Sequence, residues 1–175
     1  MIDFTRIDYL NSGNVKQKRA YRALTDHRVL EKLQPFDPVL TGTIPINIDI
    51  DTSDLDIICC FASADHFKNH VREVFGTEVN FKLFTPKRSG AVAASFMLEG
   101  FVIEIYGQSV PVLGQAAYRH MIIEYKILQE KGEAFRQQII ELKKQGIKTE
   151  PAFGKLLGID GDVYEKLLNL YNFPA

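Results

Sequence analysis

The chain has 175 residues, a net charge of −1, 46% hydrophobic and 25% charged residues. This is the balance of a globular protein with one buried core, or one core plus a helical appendage, and it offers no polybasic face for bulk binding to nucleic acid, although a local basic pocket stays open. Met1 to Tyr9 lacks a charged-then-apolar leader and no apolar stretch approaches membrane-spanning length, so a soluble cytoplasmic protein is expected.

Residues 14 to 33 carry Tyr21, Leu24, Val29, Leu30 and Leu33 at helical spacing, which predicts helices there, with Asp26 as N-cap of the second. Pro35 and Pro38 stop that pattern. Pro38 to Thr41 reads as a short strand ended by Gly42. Thr43 to Ile50 alternates like a strand, yet Pro45 opposes a central ladder position, so a tight connection or a single helical turn suits it as well. Ser53 to Phe61 runs almost wholly apolar after its acidic start and predicts a buried strand. It contains both cysteines, Cys59 and Cys60. Neighbouring strand residues point to opposite faces, which opposes a bridge between them and fits two small hydrophobes in a reduced compartment.

Ala64 to Phe75 predicts an amphipathic helix stopped by Gly76, Val79 to Phe84 a strand, and Pro86 to Gly90 a basic turn. Ala91 to Leu98 and Phe101 to Tyr106 predict two strands around a hairpin-type junction at Glu99-Gly100. After Gly107 the period becomes helical: Val112 to Gln129, Glu133 to Lys144, and a third helix starting at Thr149 with Pro151 in its first turn. Gly158 ends that helix, and Asp160 is the expected cap of a last one carrying Leu167, Leu168 and Tyr171. The order predicts an α+β fold with an α/β-type core. Residues 1–110 form a mixed twisted sheet with flanking and N-terminal helices, and residues 111–175 form a helical extension packed on it.

The informative stretch is Gly42 to Ile58. Asp54 and Asp56 lie two apart on a strand, so both carboxylates face one side while Leu55 and Ile57 enter a core. Two such charges at 4 Å repel by about 4 kcal/mol at an effective dielectric near 20. A shared proton or a divalent cation with oxygen ligands relieves that repulsion. Glu104, alone between Ile103 and Ile105 on a second strand, needs a partner of its own. If the two strands are neighbours, the three carboxylates converge on one metal site able to neutralise a triphosphate and activate an attacking hydroxyl. Gly42 lets backbone approach a ligand closely, its turn can cradle phosphate, and the Thr43 hydroxyl adds a donor.

Gly42-Thr43, ten residues, Asp54-Leu-Asp-Ile and then Ile103-Glu-Ile resemble the signature of the polymerase-beta-like nucleotidyltransferases. The whole chain also resembles a largely bacterial domain-of-unknown-function family within that superfamily. The features that carry this are Ile2-Asp-Phe, Gly42-Thr-Ile-Pro-Ile, Ser53-Asp-Leu-Asp-Ile-Ile-Cys, Tyr118-Arg-His-Met and Lys148-Thr-Glu-Pro-Ala-Phe. The resemblance implies a nucleotidyltransferase fold, with Asp54, Asp56 and Glu104 as catalytic ligands of Mg²⁺ or Mn²⁺ and Gly42, Thr43 and Ser53 beside the nucleotide phosphates. Two departures stand out: Thr43 replaces the commoner Ser or Gly, and the spacer is rich in Pro and Ile, without the small and basic residues that help grip a triphosphate.

Each sharp reading has a plain one beside it. Asp49 and Asp51 alternate with Ile and could be accessory ligands, but the wet face of an edge strand is the preferred reading. His120 and Glu124, four apart on a helix, share a face with Leu113, Ala117, Ile127 and Leu128. They either close over the carboxylate site, with Arg119 nearby, or simply orient the tail as a satisfied polar pair. Lys87 and Arg88 could hold phosphates from their turn or be solvated, Tyr118 could belong to a core, and Lys148-Thr-Glu-Pro could be a helix cap. Zinc spacings, a Walker-type loop and a nucleophile elbow are absent from the sequence.

The expected function is transfer of a nucleoside monophosphate from a nucleoside triphosphate to a hydroxyl of a small molecule or protein. The near-neutral charge and the lack of a large second domain argue against long templates. The alternatives are a non-catalytic nucleotide- or metal-binding module and an interaction protein whose helical tail supplies a homo-oligomer surface.

Overall fold

The computed structural model describes residues 2–86 and 90–171. A capping box opens the first long helix, α1 (Val15–Asp26): the Asn14 side chain accepts from the Gln17 amide, and the Gln17 side chain accepts from the Asn14 amide. α2 (Val29–Lys32) follows, but Asp26 does not cap it. Asp26 is the last residue of α1, and Arg28, in the left-handed region at φ 54°, takes the N-cap position without a side-chain bond. The chain there reverses by backbone conformation rather than by a polar cap.

The strands are β1 (Val39–Thr41), β2 (Leu55–Cys60), β3 (Val79–Phe84), β4 (Val92–Leu98) and β5 (Phe101–Gln108). They form one mixed sheet in the order β1-β2-β5-β4-β3. β2 and β5 are parallel, and the other neighbouring pairs are antiparallel. Glu99 (φ 49°) and Gly100 (φ 80°) turn β4 into β5 with two successive positive-φ residues, the geometry that matches strand twist in tight hairpins. Cys59 and Cys60 are both free thiols on β2, and Cys59 is fully buried.

α3 (Ala64–Phe75), capped by Ser63, lays Phe67, Val71 and Phe75 under the sheet. These meet Leu55, Ile57, Phe96, Ile103 and Ile105, together with Ala20 and Leu24 of α1, in the first core. The C-terminal helices are α4 (Ala116–Lys131), α5 (Glu133–Lys144), α6 (Thr149–Leu157) and α7 (Val163–Leu168). α4 starts later than the periodicity predicts, because Val112–Gly114 forms a separate 3-10 turn. α7 is capped by Asp162, which accepts from the Glu165 amide, and not by Asp160. Among the described residues no helix is long and apolar enough to cross a membrane.

The helices enclose a second core around Ile123, Ile127, Ile139, Phe153 and Leu167. The β1–β2 connection joins the two cores. It is a run of turns, neither strand nor helix, and it sends Ile44 into the first core and Ile46 and Ile48 into the second. A buried loop must satisfy its carbonyls, because each orphaned one costs about 1–3 kcal/mol. Side chains do this from both sides. Gln17 Nε2 donates to Ile44 O (2.8 Å), Arg136 Nη1 to Ile46 O (2.6 Å), and Lys143 Nζ to Ile48 O (2.8 Å). Lys16 Nζ donates to Ile50 O.

Candidate metal and nucleotide site

Asp56 and Glu104 are direct register partners across the parallel β2–β5 pair, and Asp54 immediately precedes β2. Because β2 and β5 alternate, Leu55, Ile57, Ile103 and Ile105 fill the core while the acids emerge on the opposite face. One carboxylate oxygen from each of Asp54, Asp56 and Glu104 lies within 4.8 Å of the others. Asp54 and Asp56 are half-buried, and Glu104 is exposed.

The crowding shows in their protonation. Burial, then Asp54, then Glu104 push the Asp56 carboxyl up to about 7, against an opposing pull from Lys143. Burial and Asp54 raise Glu104 as well. Three hard oxygen donors whose charges oppose one another form a set that a Mg²⁺ or Mn²⁺ ion fits.

Gly42 has a specific task. Its φ is +84°, and a Cβ there would stand 2.3 Å from Asp56 Oδ2. The glycine therefore clears room for the Asp56 carboxylate itself, a closer reason than an approaching ligand. Thr43 and Ser53 brace the two ends of the connecting loop: their hydroxyls lie 3.2 Å apart, and Ser53 Oγ accepts from the Ile50 amide at 2.9 Å.

These residues form one wall of a cavity of about 570 Å³, within the usual range for small-molecule sites. The facing wall is helical and includes His120, Glu124, Lys143 and Glu150. The helix bearing His120 and Glu124 thus does close over the carboxylates. Both residues are buried, but they are not a satisfied polar pair: His120 Nδ1 and Glu124 Oε1 have no hydrogen-bond partner among the described residues. Leu113 does not share their helix and is 52% exposed.

Other expected residues fall elsewhere. Arg119 lies on α4 beside His120 but is not among the residues lining the cavity. Lys87 and Arg88 lie outside the described residues. Asp49 is not the wet face of an edge strand: its side chain is 13% exposed in the loop, 3.9 Å from Lys16 Nζ. Asp51 is an exposed turn residue. Tyr118 is half-buried and packs against the helical core. Lys148 occupies the α6 N-cap without a side-chain bond, so Lys148-Thr-Glu-Pro is not a side-chain cap.

Two wall residues escape a reading of the sequence. Lys143 resembles any solvated lysine near a helix end, and only the loop it reaches reveals it. Glu150 offers two weak signals, its place in the Lys148-Thr-Glu-Pro-Ala-Phe stretch and an acid in the first turn of a helix, and neither assigns it to the cavity. Burial, offset by Glu124, Asp49 and Asp54, brings the Lys143 ammonium down to about 8. Burial also lowers His120 and raises Glu124 well above its ordinary value.

A mixed sheet that carries Asp54 and Asp56 at the head of one strand and Glu104 on its parallel neighbour defines the class: this is a nucleotidyltransferase fold. The chain belongs to the family described as "Domain of unknown function (DUF4269)", which matches residues 22–170. Among solved structures it is similar to the Cid1 poly(U) polymerase bound to MgATP, with a TM-score of 0.59 and 16% identity over 86% of this chain and 52% of that one. It is also similar to the GLD-2/RNP-8 complex, with a TM-score of 0.57 and 13% identity over 86% of this chain and 60% of that one. A cytoplasmic RNA terminal U-transferase gives a TM-score of 0.54 and 18% identity over 80% and 42%. The chain thus spans about half the length of these structures, and at such identities the likeness is one of fold. None of the curated proteins matches the sequence.

Proposed function

We propose that the protein is a metal-dependent nucleotidyltransferase that moves a nucleoside monophosphate from a nucleoside triphosphate to a hydroxyl of a small molecule or protein side chain. The observation that carries this is the convergence of Asp54, Asp56 and Glu104 on one wall of a cavity of about 570 Å³. A bound Mg²⁺ or Mn²⁺ would supply charge neutralisation for the phosphate tail and the leaving pyrophosphate. Asp56, on β2, and Asp54, just before it, would hold the ion. Glu104, the exposed member, is free to accept a proton from an incoming hydroxyl. The Gly42–Thr43 turn offers backbone amides to phosphate beside Asp56, and Lys143 adds a cation on the opposite wall. The net charge of −1 favours a short acceptor over a long nucleic acid.

A second reading is a nucleotide sensor that binds without turnover. It is favoured by the β1–β2 loop, whose Ile44, Ile46 and Ile48 are buried and present no cationic side chain to a triphosphate.

Thermal shift with Mg²⁺ or Mn²⁺ and each ribonucleoside triphosphate, run beside pyrophosphate release against hydroxyl acceptors and a short RNA, separates the readings. A ligand at 100 times its Kd stabilises by about 2.7 kcal/mol. A metal-dependent shift lost in Asp56→Asn, with pyrophosphate release, supports transfer. A shift without release across the acceptor panel supports the sensor, and no shift with any nucleotide overturns both.

A further inference from the structure

The cavity has a second acid-rich wall, set apart from the strand triad. One ligand atom from each of His120, Glu124 and Glu150 lies within 4.8 Å of the others. His120 and Glu124 sit four apart on α4, so their side chains stack on one face of that helix, while Glu150 comes from the first turn of α6. His120 is 6% exposed and Glu124 4% exposed. Each has a buried polar atom, Nδ1 of His120 and Oε1 of Glu124, with no hydrogen-bond partner among the described residues.

A buried carboxyl oxygen and a buried imidazole nitrogen left without partners each carry an uncompensated desolvation cost unless a ligand or proton satisfies them. A shared proton needs a hydrogen bond, and none joins these two atoms. Lys143 offsets part of the acidic charge, but its Nζ is held by the Ile48 carbonyl at 2.8 Å. Burial favours the neutral form of Glu124, which relieves the charge but leaves its Oε1 and the His120 Nδ1 without a partner.

We infer that His120, Glu124 and Glu150 form a second divalent-cation site, separate from the strand triad in donor set and position, which takes a first-row transition ion such as Zn²⁺ or Mn²⁺ and fastens α4 to α6. The donor set sets the preference. Three carboxylates suit Mg²⁺, whereas an imidazole with two carboxylates favours a borderline ion and discriminates against Mg²⁺. Three protein ligands leave an open coordination position toward the cavity. The ring of Tyr164 on α7 meets the imidazole edge-on, with centroids 6.1 Å apart, and restrains its orientation. The ion ties two helices that reach the second core from different stretches of chain, and it does so whether or not the protein transfers nucleotides.

The test needs no nucleotide. Tag-free full-length protein is stripped with EDTA and titrated with Zn²⁺, Co²⁺, Mn²⁺ and Mg²⁺ by calorimetry, with Co²⁺ absorption as the signature of an imidazole-containing site. The Asp54→Asn/Asp56→Asn double variant isolates the helical site and should keep one equivalent of Zn²⁺ or Co²⁺ and the visible Co²⁺ bands. His120→Gln and Glu150→Gln should each weaken that binding by about tenfold or more. Glu150 is only half-buried, so Glu150→Gln carries the test if His120→Gln does not fold by circular dichroism. Absence of transition-metal binding in the double variant overturns the inference. So does binding in that background that His120→Gln and Glu150→Gln leave unchanged. Neither result bears on nucleotide binding at the triad.

Discussion

Two acid groups face each other across one cavity, and they are built by opposite means. Asp56 and Glu104 stand on adjacent parallel strands, where a shared register places the side chains, and Asp54 immediately precedes the first of them. His120, Glu124 and Glu150 stand on α4 and α6, where only helix packing brings them together. The strand group is half-solvated and tolerates its own charge by raising the Asp56 carboxyl to about 7. The helical group is more deeply buried and leaves polar atoms without partners. The contrast teaches that a sheet can present acids on a face while hiding the hydrophobic residues between them, whereas a helical wall must sink its acids into the packing that forms it.

The sharpest way to break the comparison is Asp56→Asn. Pyrophosphate release should fall by about 10³-fold or more, a loss near 4 kcal/mol of transition-state stabilisation. The same variant in EDTA should be no less stable than the parent. The raised Asp56 pKa means that the folded state holds its proton above the unfolded value of 3.8, so this contribution is complete at acid pH and is lost as pH rises toward about 7. Metal-free unfolding curves across that window should slope downward for the parent and flatten in Asp56→Asn. A lower melting midpoint for the variant in EDTA would make the carboxylate structural.

Ile48→Ala should be the costliest of the stability changes. Ile48 is fully buried in the helical core, and truncation there should cost about 2–5 kcal/mol in urea unfolding. Because Lys143 holds the Ile48 carbonyl, the helical wall should loosen more than the strand triad, visible as faster hydrogen exchange in α5 than in β2.

Gly42→Ala acts on the strand side alone. At φ +84° and with Asp56 Oδ2 2.3 Å from the new Cβ, it should cost about 1–3 kcal/mol and displace the carboxylate. Metal-dependent nucleotide binding should weaken with it. Transition-metal binding at the helical wall should not change, as calorimetry on the variant would show.

Ser53→Ala is the mildest. It removes the acceptor of the Ile50 amide and the contact with Thr43, for a loss of about 1 kcal/mol by thermal unfolding with the sheet unaffected. A loss several times larger would mean that the loop's hold on both cores depends on this one hydroxyl.

Some of this was legible in the residues alone. α3, β3 and α5 run over the stretches their periodicity marks, because an amphipathic face or an alternating run reports local geometry directly. Asp54 and Asp56 on one face, with Glu104 nearby, follow from strand alternation once the two strands are neighbours. Caps were less legible: Asp26 and Asp160 have the right chemistry, but Arg28 and Asp162 have the backbone conformation. Asp162 is extended and caps α7 with its side chain, whereas Arg28 is left-handed and makes no cap bond, so cap chemistry counts only where tertiary structure sets an extended residue before the helix.

The sequence by itself determined most of the helices and strands, the apolar face each would bury, and two like-charged carboxylates on one face, since these depend on neighbours a few residues away. The tertiary structure alone decided that β2 and β5 are adjacent and parallel, so that Asp56 meets Glu104. It also decided that Ile44, Ile46 and Ile48 bridge two cores and that Lys143 and Glu150 turn toward the same cavity as the triad. Those contacts join residues far apart in the chain, and the burial that selects among such pairings is a property of the assembled surfaces rather than of any local pattern.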